Sequence, residues 1–356
     1  MAGIMPDYPR GVSLTNSQVA ELLALRSEEL EGNRQRAYRR ASRAAYKWPE
    51  EVADLVAAGR SLTELTGIGA KLSGLIKSWL DDPPEVPEAP PIRAGFRSFA
   101  EARAIVAANP GWSDEVRGDL QMHSDESDGR VGFEEMARTG IDKGYSYIAV
   151  TDHSKGLKIA GGMDEERFAD QARRIDAFNT GLAAQGADFK VLKGIEMNLS
   201  PDGSGDMEPS CLGQLDLVLG SFHSQLRRKE DQTDRYIAGI ENPYVDVLGH
   251  PRCRIYNFRV GLLADWKTVL AAAADNGTAV EIDAFPDRQD LNVELLELAR
   301  DSGCWISMGT DAHTPDEMQY LPVGLAAAIS AGIPKDRIIN FFTADELASW
   351  VGERRG

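Results

Sequence analysis

The fold of this chain is indicated most directly by the stretch Ile148-Ala149-Val150-Thr151-Asp152-His153, an apolar run that ends in a carboxylate and an imidazole. The chain has five histidines, and four of them directly follow a short apolar run of this kind. The five motifs are Asp119-Leu120-Gln121-Met122-His123-Ser124, Thr151-Asp152-His153, Ser221-Phe222-His223, Gly249-His250-Pro251 and Thr310-Asp311-Ala312-His313. A single histidine is more often a core or surface residue than a ligand. Five in such positions indicate instead that strand ends carry imidazole and carboxylate groups to one multinuclear metal site.

Apolar segments and helical stretches alternate regularly through residues 117–356. The strand candidates are Ser146–Val150, Lys190–Ile195, Leu215–Gly220, Val245–Leu248, Thr278–Ile282 and Trp305–Met308. The clearest helical stretches are Asp164–Ala184, Ala264–Asn276 and Asn292–Ser302. Regular alternation predicts an α/β fold with a parallel sheet, and we expect the sheet to close into a barrel. Because the chemistry of such barrels lies at the carboxyl ends of the strands, the histidine motifs should meet there.

Residues 15–80 have a different, helical pattern. Helices are predicted over Ser17–Leu30, Arg36–Trp48 and Pro49–Ala58, followed by a turn that contains two glycines. Such glycines let the backbone approach a ligand closely with its N–H groups exposed. The second helix also has a basic stripe, for which the alternative is a solvated charged face. The residues that we expect to bind phosphate backbones are Arg36, Arg39, Arg40, Arg43, Lys47, Gly67, Gly69 and Lys71.

Length and composition indicate two domains joined by a linker. A chain of 356 residues exceeds one average domain, and five prolines within residues 83–91 are typical of a semi-rigid connection. We predict a helical DNA-binding domain at 12–80 (the head), a proline-rich linker with a short helix at 81–116, and a catalytic domain at 117–356. The net charge is −17, but residues 1–80 have 11 basic and 9 acidic residues, so the head is the part suited to a polyanion.

The sequence has no feature of a membrane or secreted protein. No apolar run approaches the roughly 20 residues that cross a bilayer, and the segment MAGIMPDYPRG does not resemble a signal peptide. Cys211, Cys253 and Cys304 are odd in number and form no CxxC pair. These observations predict a cytoplasmic protein with free thiols.

The ordered motifs of the catalytic domain resemble those of the polymerase-and-histidinol-phosphatase (PHP) family of metallohydrolases. The motifs are DLQMHS, AVTDHS, KGIEMNLSPDG, LDLVLGSFHS, ENPYVDVLGHP, VEIDAFPDRQDL and WISMGTDAH. They are most similar to the C-terminal PHP domain of bacterial family X DNA polymerases. The resemblance implies a distorted seven-stranded (β/α) barrel with two or three divalent metal ions. We expect Mn2+, with Zn2+ and Fe2+ as the alternatives.

The resemblance also implies which side chains bind the metal ions and the substrate. Carried onto this chain, the ligands would be His123, Asp128, His153, Glu196, His223, His250, Asp311 and His313, with Glu196 bridging two ions. Gln121 stands where the family motif has a histidine, and its neutral amide would be a weak ligand. Arg254 and Arg288 match arginines that the family places near the substrate phosphate, with a surface or structural role as the alternative. The role of Asp283, where many relatives have asparagine, is left open.

The head resembles the N-terminal domain of family X polymerases, which contains a helix-hairpin-helix motif. The matching segments are AYRRASRAAYKWP and LTGIGAKLSGLI. Leu75 stands where lyase-active relatives have a lysine, so Schiff-base chemistry is not expected there. Only about 35 residues separate Asp81 from Arg117, which leaves no room for the polymerase palm and fingers. We therefore expect no DNA synthesis.

Three functions from different classes are compatible with these features. The first is a metal-dependent phosphodiesterase acting on gapped or 3′-ended DNA, as a 3′-5′ exonuclease or a 3′-end-processing nuclease in repair. The second is a small-molecule phosphatase of the histidinol-phosphate type, and the third is a DNA-binding adaptor with a purely structural barrel. The basic head favours the first function over the second, and the near-complete ligand set disfavours the third. Exonuclease and abasic-site endonuclease activity are not distinguished by these features.

Overall fold

The computed structural model of the protein describes residues 14–356. The predicted head begins at residue 12, so residues 12 and 13 lie outside the described residues. The chain divides into two compact units, one ending at Glu101 and the other beginning at Ala102. The domain boundaries predicted at residues 80 and 117 stay predictions.

The first unit is built from helices. They are α1 (Asn16–Glu28), α2 (Gly32–Ala45), α3 (Val52–Ala57) and α4 (Ala70–Asp81), and α5 (Phe99–Ala108) begins within this unit. A capping box starts α1, because the Thr15 hydroxyl accepts the Gln18 N–H while the Gln18 side chain accepts the Thr15 N–H. Apolar side chains such as Val19, Leu23 and Trp48 are buried in this unit.

Arg93 shows that residues after the proline-rich run pack within the first unit. Its buried guanidinium donates to both carboxylate oxygens of Glu21 at 2.9 Å and to Glu28 at 2.7 Å. The Phe99 N–H also donates to the Tyr46 carbonyl at 2.9 Å. Because a buried guanidinium is stable only with such partners, this part of the predicted linker at 81–116 is held against α1.

The second unit contains a seven-stranded parallel sheet in which each strand pairs with the next along the chain. The strands are β1 (Gly118–Asp119), β2 (Tyr147–Val150), β3 (Lys190–Asn198), β4 (Leu217–Ser221), β5 (Val247–Leu248), β6 (Ala279–Asp283) and β7 (Ile306–Gly309). Hydrogen bonds after β1 and β7 nearly close the sheet, because the His123 N–H donates to Ala312 O at 2.8 Å and the Asp311 N–H to Gln121 O at 3.1 Å. The predicted α/β barrel is confirmed. Six strands lie where apolar runs predict them, whereas β1 has no such run.

Helices surround the barrel and complete its core. They are α6 (Phe133–Asp142), α7 (Glu165–Ala184), α8 (Pro209–Leu212), α9 (Thr233–Ile240), α10 (Trp266–Asn276), α11 (Val293–Ser302), α12 (Leu321–Ala331) and α13 (Ala344–Arg355). Strand residues such as Val218 and Val280 pack in one cluster with helix residues such as Leu270 and Leu296. Burial on both faces explains why the strands read as continuous apolar runs. No helix in residues 14–356 combines the length and apolar character needed to span a membrane.

Candidate metal centre

The eight residues predicted to bind metal lie at the carboxyl ends of six of the seven strands. His123 and Asp128 follow β1, His153 follows β2, Glu196 lies in β3, His223 follows β4, His250 follows β5, and Asp311 and His313 follow β7. Because parallel strands end at the same face of the barrel, polar residues at or after these ends are near one another. The structure brings all eight side chains together.

Glu196 lies at the centre of this cluster. Its Oε1 is 2.7 Å from His250 Nε2 and 3.1 Å from His223 Nε2. Its Oε2 is 3.0 Å from His153 Nδ1 and 3.5 Å from His123 Nε2. One buried carboxylate therefore contacts four imidazoles, an arrangement suited to a ligand that neighbouring ions share.

Asp128 contacts three histidines of the same cluster. Its Oδ1 is 3.4 Å from His313 Nε2, 3.5 Å from His153 Nε2 and 3.8 Å from His123 Nδ1. Asp311 Oδ1 is 3.0 Å from His123 Nε2. Three groups have ligand atoms that all lie within 4.8 Å of one another: His123 with His153 and His313, His153 with Glu196 and His223, and His123 with Glu196 and Asp311.

The donor atoms of the cluster fit divalent cations. Among the described residues, Nδ1 of His123 and of His153, Oδ1 of Asp128 and Oε2 of Glu196 are buried and form no well-aligned hydrogen bond, despite the short separations given above. Burial of such atoms is costly unless they coordinate a cation. Imidazole nitrogen combined with carboxylate oxygen, without thiolate, suits Mn2+, Fe2+ or Zn2+.

Contacts at Nδ1 orient the imidazoles of His223 and His313 toward the cluster. His223 Nδ1 is 3.2 Å from Asn198 Oδ1, and His313 Nδ1 is 2.8 Å from Asp311 O, so the Nε2 of each ring faces a carboxylate. Such partners set the orientation of metal-binding histidines. His250 and Asp311 have φ angles of +24° and +51°, which are unusual outside glycine. Backbone strain of this kind concentrates at functional sites.

The buried carboxylates of the cluster favour positive charge on the groups around them. Burial raises the pKa of Glu196, but the surrounding imidazoles outweigh it and hold that pKa well below its usual range. Burial lowers the pKa of His153, yet Glu196 and Asp128 raise it to about 10. Burial also lowers the pKa of His313, and Asp128 with a second carboxylate raises it to about 9. Divalent cations bound at this cluster would displace protons from these histidines.

A cavity of about 370 Å³ opens beside the cluster. Besides the ligand residues, it is lined by Arg259 and Arg288 and by the apolar side chains of Leu157, Ile159 and Ile255. The cavity therefore combines groups that hold cations, arginines that bind anions and an apolar surface. A phosphate ester with an apolar portion has the matching chemistry.

Comparison with known proteins agrees with this geometry. The family model described as PHP domain matches residues 119–284. The chain is 37% identical over 238 residues to the DNA polymerase/3′-5′ exonuclease PolX of Bacillus subtilis (strain 168), covering 67% of this chain and 41% of that protein. It is 30% identical over 217 residues to a probable phosphatase of Thermoanaerobacter sp. (strain X514), covering 58% of this chain and 82% of that protein. The chain belongs to the PHP-domain family.

The PHP chain thus spans less than half the length of the Bacillus relative. Among solved structures it resembles histidinol phosphate phosphatase from Lactococcus lactis, which was determined with zinc, L-histidinol and phosphate. The TM-score is 0.44 and the identity 15%, over 61% of this chain and 94% of that one. Family membership and the ligand cluster assign this PHP protein to the phosphoesterases.

The two arginines predicted to contact phosphate have different surroundings in the PHP barrel. Arg288 lines the cavity, and its Nη2 is 3.2 Å from Asp311 Oδ2. Arg254 is 4% exposed, its Nε donates to Arg288 O at 2.9 Å, and it is not among the described residues that line the cavity. Arg259, which no sequence motif indicates, lines the cavity instead. The role of Arg254 at phosphate stays a prediction, and its observed contact supports the Arg288 backbone.

Gln121 lies against Glu281 beneath the cluster. With its amide nitrogen turned toward this carboxylate, it donates to Oε1 at 2.6 Å and to Oε2 at 3.1 Å. The His250 N–H also donates to Glu281 Oε2 at 2.6 Å. Burial and the neighbouring Asp283 raise the Glu281 pKa well above its usual value. Because the amide nitrogen of Gln121 is bonded to Glu281, only the amide oxygen is left for a metal ion. The role of Gln121 as a weak ligand stays a prediction.

Two supporting residues lie next to predicted ligands without being recognised from sequence. Asp152 accepts hydrogen bonds from Ser124 and Ser127, in the loop between His123 and Asp128. Asn198 contacts His223, as described above. Their positions at strand ends were a usable signal, because polar residues there face the same site as the ligands. Asp283, whose role was open, has one carboxylate oxygen 3.9 Å from Arg288 Nε.

The residues predicted to bind DNA form two groups in the first unit. Arg36, Arg39 and Arg43 are exposed on α2, and Lys47 is half-buried just after it. Arg40, Lys71, Gly67 and Gly69 line a cavity of about 400 Å³, which Arg26, Arg34 and Tyr38 also line. The second group gathers cationic side chains around the glycine turn that precedes α4.

A glycine is favoured at position 67, where this turn meets α2. Its φ angle is +85°, and a Cβ atom there would lie 3.3 Å from Ala44 Cβ and 3.7 Å from Ala41 Cα. The positive φ angle therefore strains any larger residue here, and the tight approach to Ala44 adds to that cost. Gly69, in contrast, has open space around it at the start of α4.

Proposed function

We propose that this PHP protein is a metal-dependent phosphodiesterase that removes nucleotides from the 3′ ends of DNA, as a 3′-5′ exonuclease or 3′-end-processing enzyme of repair. The observation that carries the proposal is the convergence of five imidazoles and three carboxylates beside a cavity with two arginines. DNA as the substrate is supported by the cationic cavity of the first unit and by the similarity to an exonuclease.

Two or three divalent cations would be held by the eight clustered residues, with Mn2+ expected first. When bound, the cations supply Lewis acidity toward a phosphate and toward water. The chain supplies the anion contacts, because the Arg288 and Arg259 guanidinium groups can each donate two parallel hydrogen bonds to phosphate oxygens. Asp311 holds Arg288 in place. The burial of the cluster strengthens every one of these electrostatic interactions.

A small-molecule phosphatase is the second candidate. It is supported by the similarity to a probable phosphatase, 82% of which is covered by this chain. The cavity volume of about 370 Å³ also suits a small ligand, since such sites measure roughly 300–1,000 Å³. A small-molecule phosphatase does not need the basic cavity of the first unit, so we place the phosphatase function second.

A substrate panel distinguishes the two functions. Purified protein is incubated with 5′-labelled single-stranded, blunt duplex, gapped and abasic DNA, and separately with histidinol phosphate, in the presence of Mn2+, Zn2+, Fe2+ or Mg2+. We expect stepwise shortening of DNA from the 3′ end and no incorporation of dNTPs. Robust cleavage of histidinol phosphate without action on any DNA would assign the protein to the phosphatases instead.

A matched pair of variants tests the metal centre in the same assay. Glu196→Gln keeps the size of the side chain but removes the charge that contacts four imidazoles, so bound metal and activity should be lost together. Asp170→Asn changes an exposed carboxylate that pairs with Arg173, and it should retain both. Metal content is measured by mass spectrometry of the purified proteins. Full activity in a metal-free preparation would contradict the proposal.

A further inference from the structure

The two most exposed large apolar side chains of the described residues belong to segments that line the metal-centre cavity. Ile159 is 94% exposed and Phe258 is 55% exposed, although both are large hydrophobic residues. Ile159 lines the cavity itself, and Phe258 lies in the chain between Ile255 and Arg259, which also line it. Large exposed apolar groups beside a binding cavity indicate a contact surface for a ligand.

Phe258 is presented by a tight hairpin turn. The Ile255 N–H donates to Arg259 O, and the Arg259 N–H donates to Ile255 O, both at 2.9 Å. The Phe258 N–H donates to Ile255 O at 3.1 Å. Three backbone hydrogen bonds thus hold the aromatic residue at the tip of a turn whose two ends line the cavity.

Two arginines accompany this aromatic residue. The Arg227 guanidinium carbon lies 4.8 Å from the centroid of the Phe258 ring, a cation–π contact on an exposed side chain. Arg259 donates through Nε to the Cys253 carbonyl and makes no ion pair with a carboxylate of residues 14–356. Its positive charge therefore stays available to an anion in the cavity. An aromatic ring flanked by arginines is the pattern that binds a base and its phosphate.

We propose that the 255–259 hairpin is a nucleotide subsite, in which Phe258 stacks on the unpaired 3′-terminal base of a DNA strand and Arg259 binds the phosphate that precedes it. The assignment rests on the proposed function and specifies its substrate as an unpaired strand end. A cavity of about 370 Å³ has room for one nucleotide, but the two strands of a duplex cannot enter it together. A terminal base that is already unpaired enters without the cost of unstacking and opening a base pair.

The charge of the surrounding loop favours this occupant over a protein partner. Arg227, Arg228 and Lys229 are consecutive, exposed and basic, and they directly follow the segment that contains His223. A phosphodiester chain complements such a surface. A second copy bound through a two-fold symmetric contact would bring the same basic loop to the contact, where like charges repel. The test below includes the oligomeric state for this reason.

Photocrosslinking locates the terminal base without depending on catalysis. An oligothymidylate with 5-iodo-2′-deoxyuridine at its 3′ terminus, and a phosphorothioate at the last linkage, is bound to the full chain and irradiated. Peptide mass spectrometry identifies the residue joined to the base. We expect Phe258 to be the main crosslinked residue with the single strand, and a much weaker crosslink when the same strand is in a blunt duplex.

Kinetics of nucleotide release from a natural oligothymidylate complete the test. Stacking of one base contributes about 5- to 150-fold in affinity, so Phe258→Ala should raise KM within that range while kcat changes little. Arg259→Gln should also raise KM. The controls are Leu298→Ala, which removes an exposed apolar side chain on α11, and Arg173→Gln, which removes an exposed charge on α7. Neither control should change KM.

The outcomes separate this inference from the proposed function. If the wild-type protein shortens DNA but crosslinks elsewhere, and Phe258→Ala leaves KM unchanged, the subsite is refuted while the nuclease stands. If no DNA is shortened but Phe258 is crosslinked, the nucleotide subsite stands while the nuclease proposal fails. If Phe258→Ala changes the mass found by light scattering and not KM, the exposed ring is a contact between copies and the inference is overturned.

Discussion

Replacement of Asp152 by asparagine tests how the loop between two predicted ligands is held. The Asp152 carboxylate accepts four hydrogen bonds. Oδ1 accepts from the Ser124 N–H at 2.8 Å and from the Ser127 hydroxyl at 2.5 Å. Oδ2 accepts from the Ser124 hydroxyl and from Gln171 Nε2 on α7, both at 2.6 Å. The ligands His123 and Asp128 lie at the two ends of the loop that these serines belong to.

The magnitude follows from the donors that can adapt. In Asp152→Asn the remaining oxygen must face the Ser124 N–H, because a backbone N–H can only donate. The new amide nitrogen then faces the Ser124 hydroxyl, which can rotate to accept, and the Gln171 amide, which must turn its oxygen toward it to accept. A hydrogen bond to a charged group is worth about 1.5–3 kcal/mol, so with partial recovery we expect a loss of about 2–3 kcal/mol. That corresponds to a fall in Tm of about 4–12 °C for a unit of this size.

The functional readout is metal affinity. Residues that orient metal ligands typically change affinity about 10- to 100-fold when they are replaced. Competition with a chromophoric chelator measures the Mn2+ or Zn2+ affinity, and calorimetry of the metal-free protein measures Tm. Asp170→Asn, on the exposed side of α7, is the control for loss of a carboxylate. An Asp152→Asn protein with wild-type Tm and wild-type metal affinity would show that other contacts hold the loop.

Three further predictions concern the pH dependence, the DNA surface and the stability of the protein. Burial lowers the pKa values of His153 and His313, but carboxylates raise them to about 10 and about 9. Protons must therefore leave when metal binds, and calorimetry should show proton release and an affinity that rises from pH 7 to pH 9. Replacing Arg36, Arg39, Arg40 and Arg43 by alanine should weaken DNA binding uniformly and reduce the salt slope by up to about 0.9 per lost phosphate contact. Unchanged anisotropy titrations at several KCl concentrations would identify the stripe as a solvated face. Asp246, which pairs with Arg354 at 2.9 Å and with Arg355, is fully buried. Asp246→Ala should therefore cost about 3–5 kcal/mol in a denaturation experiment, whereas Asp301→Ala, at an exposed pair with Arg300, should cost less than about 1 kcal/mol.

The barrel could be predicted from sequence because its strands are locally encoded. Parallel strands covered on both faces need continuous apolar runs, and six such runs are visible in the sequence. Where a run ends at the carboxyl edge, the first polar residues face the same site whatever the details of packing. This is why His153 and His250, for example, could be assigned to one cluster before any contact was known.

Other features depend on contacts between residues far apart in the chain. β1 is only two residues long, and its position is set by pairing with β2. The sequence therefore has no apolar run that predicts this strand. Arg93 follows a proline-rich segment that looks like a free linker, but its partners Glu21 and Glu28 are more than 60 residues away. Only the folded chain shows that this charge is buried.

The sequence by itself determined the α/β barrel, the strand ends and the residue types that gather there, because these follow from local hydrophobic pattern and strand direction. Only the tertiary structure decided which arginine lines the cavity. Arg254 and Arg259 are five residues apart in the chain. Arg254 is buried and donates to the Arg288 carbonyl, whereas Arg259, at the end of the 255–259 hairpin, lines the cavity. Turn geometry acts over a few ångströms through backbone hydrogen bonds, and residue types alone do not specify where such a turn points its side chains.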